Sequence, residues 1–232
     1  RMAAMEAILK LAAQHNLAVI EDAAQSAGSM LCGRPSGSWG DIGCFSAHPL
    51  KNLNACGDAG FITTQNSDIA RNVRLMRNHG LVDRDTVLSF GKVSRMDTIQ
   101  AAILRFRLKT LSKTIERRRS NVEFYRSILD QEVIFHPPDK PDEFNSWHTF
   151  VIQVDRRDEL RNYLSSQNIE TAIHYRVPIH LQPASQILGY TFGDFKVAEE
   201  QAERILTLPV NQYLTEVEIL KVAETINRFF RS

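Results

Sequence analysis

Val19-Ile-Glu-Asp-Ala-Ala-Gln25 and Phe45-Ser-Ala-His-Pro-Leu-Lys51-Asn-Leu-Asn54 are the two runs on which the reading of this chain turns. The first closes a short apolar strand, expected over Leu17 to Glu21, with an acid, Asp22. The second leaves another short strand, Ile42 to Ser46, and enters a loop that carries a lysine among Pro49, Leu50 and Leu53. In an open α/β sheet, ligands sit at the carboxyl ends of the strands, where both runs place their polar residues. Taken singly, each residue has an ordinary explanation. Asp22 caps a turn, Gln25 ties its loop to itself, Ser46 satisfies a backbone group, and Lys51 is a solvated lysine. Their order along two neighbouring strand ends is what points to a site.

The chemistry that uses such a pair is that of pyridoxal 5'-phosphate. A lysine amine condenses with the cofactor's aldehyde, and a carboxylate keeps the pyridine nitrogen protonated so that the ring accepts electrons. An attacking lysine must be partly neutral, which requires burial or a neighbouring cation. The apolar neighbours of Lys51 fit that requirement.

Outward from these runs the chain alternates. A helix is expected from about Met2 to His15, then the Asp22 strand, then a Gly/Ser/Pro loop through Gly33–Gly40. The Ser46 strand and a strand from Gly60 to Thr64 flank the lysine loop, and Ser67 is placed to cap a helix ending near Asn78, before His79-Gly80. Apolar strands alternating with helices predict an α/β fold with a parallel or mixed sheet covered on both faces. A long helical stripe runs from Met96 to about Leu129, with room for a bend, and Phe135–Asp142 reads as a proline-rich connector. Beyond it the pattern predicts strands over Trp147–Val154 and Ile169–Tyr175. Helices are expected over Arg157–Gln167, Val197–Leu206 and Thr215–Phe230, the last opened by the capping box Thr215-Glu-Val-Glu218. The expected division is a larger α/β domain over 1–115 and a smaller α+β domain over 116–232.

Bulk properties exclude several classes. The chain has 232 residues, 43% hydrophobic and 24% charged, in the ordinary range for a globular domain. A net charge of +1 gives no field that would favour nucleic acid or an acidic membrane surface. No apolar run reaches the roughly 18 residues of a membrane span. Cys32, Cys44 and Cys56 form no paired framework, which fits a reduced, cytoplasmic setting. Seven histidines lack zinc spacing, so no metal is assigned. The chain opens at Arg1, directly inside a helical pattern, so an N-terminal portion is expected to precede it.

The same residues carry a family resemblance. Val19-Ile-Glu-Asp-Ala-Ala-Gln-Ser26, Gly40-Asp-Ile-Gly-Cys-Phe-Ser46, His48-Pro-Leu-Lys-Asn-Leu53 and Gly57-Asp-Ala-Gly60 closely resemble the DegT/DnrJ/EryC1/StrS sugar aminotransferases. Arg77-Asn-His-Gly80, Ser94-Arg-Met-Asp-Thr-Ile-Gln-Ala-Ala-Ile103, His174-Tyr175, Pro178-Ile-His180 and Leu208-Pro209 extend the match along essentially the whole chain. The resemblance implies the fold type I architecture of pyridoxal-phosphate enzymes, present as part of its large domain plus the smaller C-terminal domain. It makes Lys51 the Schiff-base lysine, Asp22 the pyridinium partner, Gln25 a contact on the ring hydroxyl side and Ser46 a phosphate contact. It puts His174 and His180 near the substrate, although a structural hydrogen bond is the better explanation of either. The implied reaction moves an amino group, with glutamate as donor, to a keto group of a nucleotide-linked deoxysugar. It implies a homodimer with no nucleic-acid or membrane partner, serving polysaccharide or antibiotic-glycoside synthesis.

Departures from the family pattern leave two further readings open. The family's N-terminal phosphate loop and stacking aromatic have no counterpart here, and Val93, beside Lys92, replaces an asparagine that reaches a neighbouring subunit's phosphate. Both support a non-catalytic member that holds no cofactor. A sugar dehydratase is the other alternative. Relatives of that kind carry histidine in place of the lysine, so Lys51 weighs against it.

Overall fold

A computed structural model describes residues 1–231. The elements in chain order are α1 (Met5–Gln14), β1 (Ile20–Asp22), β2 (Met30–Leu31), β3 (Arg34–Pro35), β4 (Ile42–Ser46), β5 (Gly60–Thr63), α2 (Ser67–Met76), α3 (Thr98–Leu108), α4 (Leu111–Ile128), β6 (Ile134–Phe135), β7 (Glu143–Phe144), β8 (Phe150–Val154), α5 (Arg157–Ser166), α6 (Lys196–Arg204), β9 (Ile205–Leu208) and α7 (Glu216–Arg231). They fall into two compact units. The first comprises Arg1–Glu116 with Asp139–His148, and the second Arg117–Pro138 with the chain from Thr149 onward.

The first unit is built on a mixed three-stranded sheet in the order β1-β4-β5. β1 runs parallel to β4, with Asp22 opposite Cys44, and β4 runs antiparallel to β5, with Ser46 opposite Gly60. A small antiparallel sheet, β3-β2-β7, returns the segment after Pro138 to this unit. Period-two alternation sends neighbouring side chains of β1 to opposite faces. Glu21 is buried and accepts the backbone N–H groups of Gly37, Trp39 and Gly40. That carboxylate folds the Gly/Ser loop back onto β4, where a Cβ at Gly43 would collide with the Gly37 backbone. The strand expected over Leu17–Glu21 is not fully buried. Leu17, ahead of β1, is exposed, as are Ile20 of the short edge strand β1 and Ile62 of β5. The sheet is therefore not covered on both faces.

The second unit carries an antiparallel sheet in the order β6-β8-β9. β8 alternates cleanly: Phe150, Ile152 and Val154 are buried, with Phe150 stacked on Tyr125 at 5.5 Å. Helices α5 and α7 pack together with Leu160, Leu164, Ile219 and Ile226 fully buried, each contributing about 1.5–3 kcal/mol by leaving water.

Several boundaries differ from the sequence expectation. Asn66, not Ser67, caps α2, because its side-chain oxygen accepts from both Asp68 and Ile69 N–H. The long helix breaks at Lys109-Thr110 into α3 and α4. Ile169–Tyr175 forms no strand. Ala172 makes only an isolated bridge to Thr207, and the third strand of that sheet is instead β9, within and beyond the residues read as a helix end. The capping box is present: Glu218 accepts from the Thr215 N–H and hydroxyl, and the Thr215 hydroxyl accepts from Glu218 N–H. Among the described residues, no helix is long and apolar enough to cross a membrane.

Candidate active site

The parallel pairing of β1 with β4 brings Asp22 and Ser46 to the same sheet edge. Asp22 is exposed, and one carboxylate oxygen accepts from Ala24 N–H at 3.1 Å, an Asx turn that fixes the side chain. The following turn closes with Ser26 N–H on the Ala23 carbonyl, which leaves Gln25 exposed at its tip. Ser46 is half-buried. Its oxygen accepts from His48 N–H at 3.3 Å, so its own hydroxyl proton remains available to a ligand.

Lys51 sits on a loop that is locked at both ends. Ala47 N–H donates to the Ala59 carbonyl and Ala55 N–H to the Ala47 carbonyl, each at 2.8 Å. Ala47, Leu53 and Ala55 bury themselves against Leu104 of α3. The same helix grips the loop from outside: Gln100 accepts from Cys56 N–H, and Arg107 donates to the Asn54 carbonyl, each at 2.8 Å. Lys51 N–H closes a turn on the His48 carbonyl at 2.8 Å. Asn52, buried, donates to the Ser146 carbonyl at 2.8 Å. A half-buried amine on a rigid loop is the result.

Its electrostatics follow. Desolvation pushes the Lys51 amine below the ordinary lysine value of 10.5, and the charge of Asp22 pulls it partway back. The two groups therefore sense each other. Yet no ion pair at 4.0 Å or less joins them among the described residues, so space separates amine from carboxylate. A depressed amine, a carboxylate acting across a gap and a hydroxyl with a free proton form a donor set that fits pyridoxal phosphate.

Other residues divide differently. Lys51 Nζ lies 3.4 Å from His148 Nε2, a neighbour that the sequence, read locally, did not pair with the lysine. His174 and His180 belong to the second unit. With Tyr175, Phe195 and Gln201 they line a cavity of about 370 Å³ there. His174 Nδ1 is 2.8 Å from the Thr207 hydroxyl. His180 is buried, 2.8 Å from Glu199 Oε1. Burial alone would raise the Glu199 pKa, but His180 and the N–H groups of Gly193 and Phe195 outweigh it and hold the carboxyl below its usual range. His180 is thus engaged in a structural pair. Val93 is exposed and bridges Asn78. Among the described residues no cluster of His, Cys, Asp and Glu has the makings of a metal centre.

The chain is 37% identical to the pleiotropic regulatory protein of Geobacillus stearothermophilus, covering 100% of this chain and 63% of that protein. It is 35% identical to the dTDP-3-amino-3,4,6-trideoxy-alpha-D-glucose transaminase of Streptomyces venezuelae, covering 97% of this chain and 60% of the relative. The crystal structure of S. venezuelae DesV, in complex with a ketimine intermediate, superposes with a TM-score of 0.95 at 35% identity, over 100% of this chain and 63% of that one. The chain thus spans about 60% of the length of the curated relatives it matches. The model of one family matches residues 1–227, nearly end to end, and with the fold and these relatives it establishes that the chain belongs to the DegT/DnrJ/EryC1/StrS aminotransferase family.

Proposed function

We propose that the protein containing this chain is a pyridoxal-phosphate-dependent sugar aminotransferase, with glutamate as donor and the keto group of a nucleotide-linked deoxysugar as acceptor. The observation that carries this reading is the place of Lys51, half-buried on a loop locked at both ends just beyond the strand that ends in Ser46, with its amine in the field of Asp22. Lys51 would hold the cofactor covalently, Asp22 would face its ring nitrogen, Gln25 its hydroxyl side, and Ser46 its phosphate. When bound, the cofactor supplies an aldehyde that takes up nitrogen and a ring that withdraws electrons.

The chain's own residues do the rest. With its pKa depressed, Lys51 keeps a larger neutral fraction than an ordinary lysine. Its Nζ can remove the proton from the donor's α-carbon and later return it, as general base and then general acid. Asp22, fixed by Ala24 N–H, supplies a negative charge that does not need to reorganise as charge develops. The proposed assembly is a cytoplasmic homodimer. His174 and His180 are proposed on the substrate side, His180 in a supporting role through Glu199.

The test is transfer of nitrogen. The whole protein, loaded with pyridoxal phosphate and given isotope-labelled glutamate and a nucleotide-linked keto-deoxysugar, should yield the labelled amino sugar. A dehydrated sugar, or no transfer to any of a panel of such sugars, would overturn the reading.

A further inference from the structure

Lys51 has one near polar neighbour that the transamination argument leaves unused. His148 Nε2 stands 3.4 Å from Lys51 Nζ, 97 positions away in sequence. The segment that brings it there is firmly seated in the first unit. β7 pairs with β2, Ser146 N–H donates to the Ser29 hydroxyl at 3.1 Å, and the two serine hydroxyls lie 2.9 Å apart. Asn52, the residue after Lys51, donates to the carbonyl of Ser146, two residues before His148. Lysine and histidine are thus tied to one anchor, Ser146, which sets the spacing between their backbones.

We infer that His148 is a positioning residue for Lys51, its Nε2 accepting a hydrogen bond from the amine and fixing the direction of that nitrogen whenever it is not bonded to cofactor. The inference rests on the reading of Lys51 given above. The chemistry supports it. An ammonium has three donors and no acceptor, so a ring nitrogen facing it must accept, with the ring proton on Nδ1. Lysine ends a flexible four-carbon stem, and an amine that must deliver a proton to a stated carbon gains from a fixed direction. No bond other than the hydrogen bond forms or breaks at His148.

The test compares His148→Leu, which removes the acceptor, with His148→Gln, whose amide oxygen reaches about as far as Nε2. In the whole protein loaded with pyridoxal phosphate, the leucine variant should retain cofactor reducible onto Lys51. Its kcat should fall on the order of 10²-fold with KM for the amino donor nearly unchanged, as a misdirected reacting group predicts. Glutamine should recover most of that loss. A second readout needs no turnover. In cofactor-free protein, competitive acetylation should label Lys51 several-fold faster relative to the exposed Lys113 in the leucine variant, because the ammonium loses its acceptor. Should the leucine variant fail to fold, His148→Asn, whose amide reaches only as far as Nδ1, must show the same two changes. Unchanged labelling, or a loss confined to KM, would overturn the inference. Cofactor reducible onto a lysine other than Lys51 in the unaltered protein would instead overturn the reading beneath it.

Discussion

The largest fully buried side chains, from Val122 and Tyr125 through Phe150 and Leu160 to Ile226, all belong to the second unit, whereas Asp22, Ser46 and Lys51 belong to the first. Both units leave apolar side chains exposed, Leu17 and Ile20 in the first and Ile179 and Ile187 in the second, so the difference lies in the depth of the core. In the second unit a buried carboxylate is fully engaged: Glu199 takes hydrogen bonds from His180, Gly193 and Phe195. In the first unit, Lys51 is the opposite case, half-buried and within the field of a carboxylate with which it makes no ion pair. Completed networks hold a fold together. Incomplete ones, held on rigid backbone, are where chemistry is expected. The lysine loop combines both traits, since its backbone is locked by Ala47, Ala55 and Arg107 while its amine stays uncommitted to any ion pair.

Substitutions can break this contrast. Lys51→Ala should lower transamination by the whole protein on the order of 10³-fold or more with little change in melting temperature, and Asp22→Asn on the order of 10²-fold. Steady-state kinetics beside thermal melts check this; unfolding in parallel with the activity loss would place both residues in the structural class. In the second unit, Ile226→Ala should cost about 2–5 kcal/mol by denaturant unfolding. Ile20→Ala, at an exposed position of the first unit, should stay within about 0.5 kcal/mol. Equal costs would erase the distinction drawn between the units.

What was legible in the sequence follows the same line. Asp22, Ser46 and Lys51 were readable as candidates because each lies at or just beyond a short apolar strand, and strand ends are marked locally. Thr215 and Glu218 were readable because a capping box is a four-residue signal. His148 escaped because its link to Lys51 runs through Ser146 and Asn52, contacts that no local window contains. Ile205 and Leu206 of β9 were read as a helix end because they directly follow α6, and only pairing with β8 decides their state. Asn66 displaced Ser67 as the cap of α2 because either residue type can cap, and the backbone is still extended at Asn66 and helical from Ser67.

Smaller effects sharpen the contrast. Glu199 has a folded pKa below the ordinary value of 4.5, so its stabilising contribution is present above that value and is withdrawn as pH falls through the folded one. Glu199→Gln should therefore flatten the acid limb of the second unit's stability, followed by denaturant unfolding across pH. An unchanged acid limb would remove Glu199 from the account. Thr215→Ala should cost about 1 kcal/mol through the lost α7 cap, measured the same way.

The most direct measurement is where the cofactor attaches. Whole protein incubated with pyridoxal phosphate, reduced with borohydride and digested should carry the pyridoxyl group on the peptide containing Lys51, and Lys51→Ala should carry none. A pyridoxyl group on any other lysine, or none at all on the unaltered protein, would contradict the account.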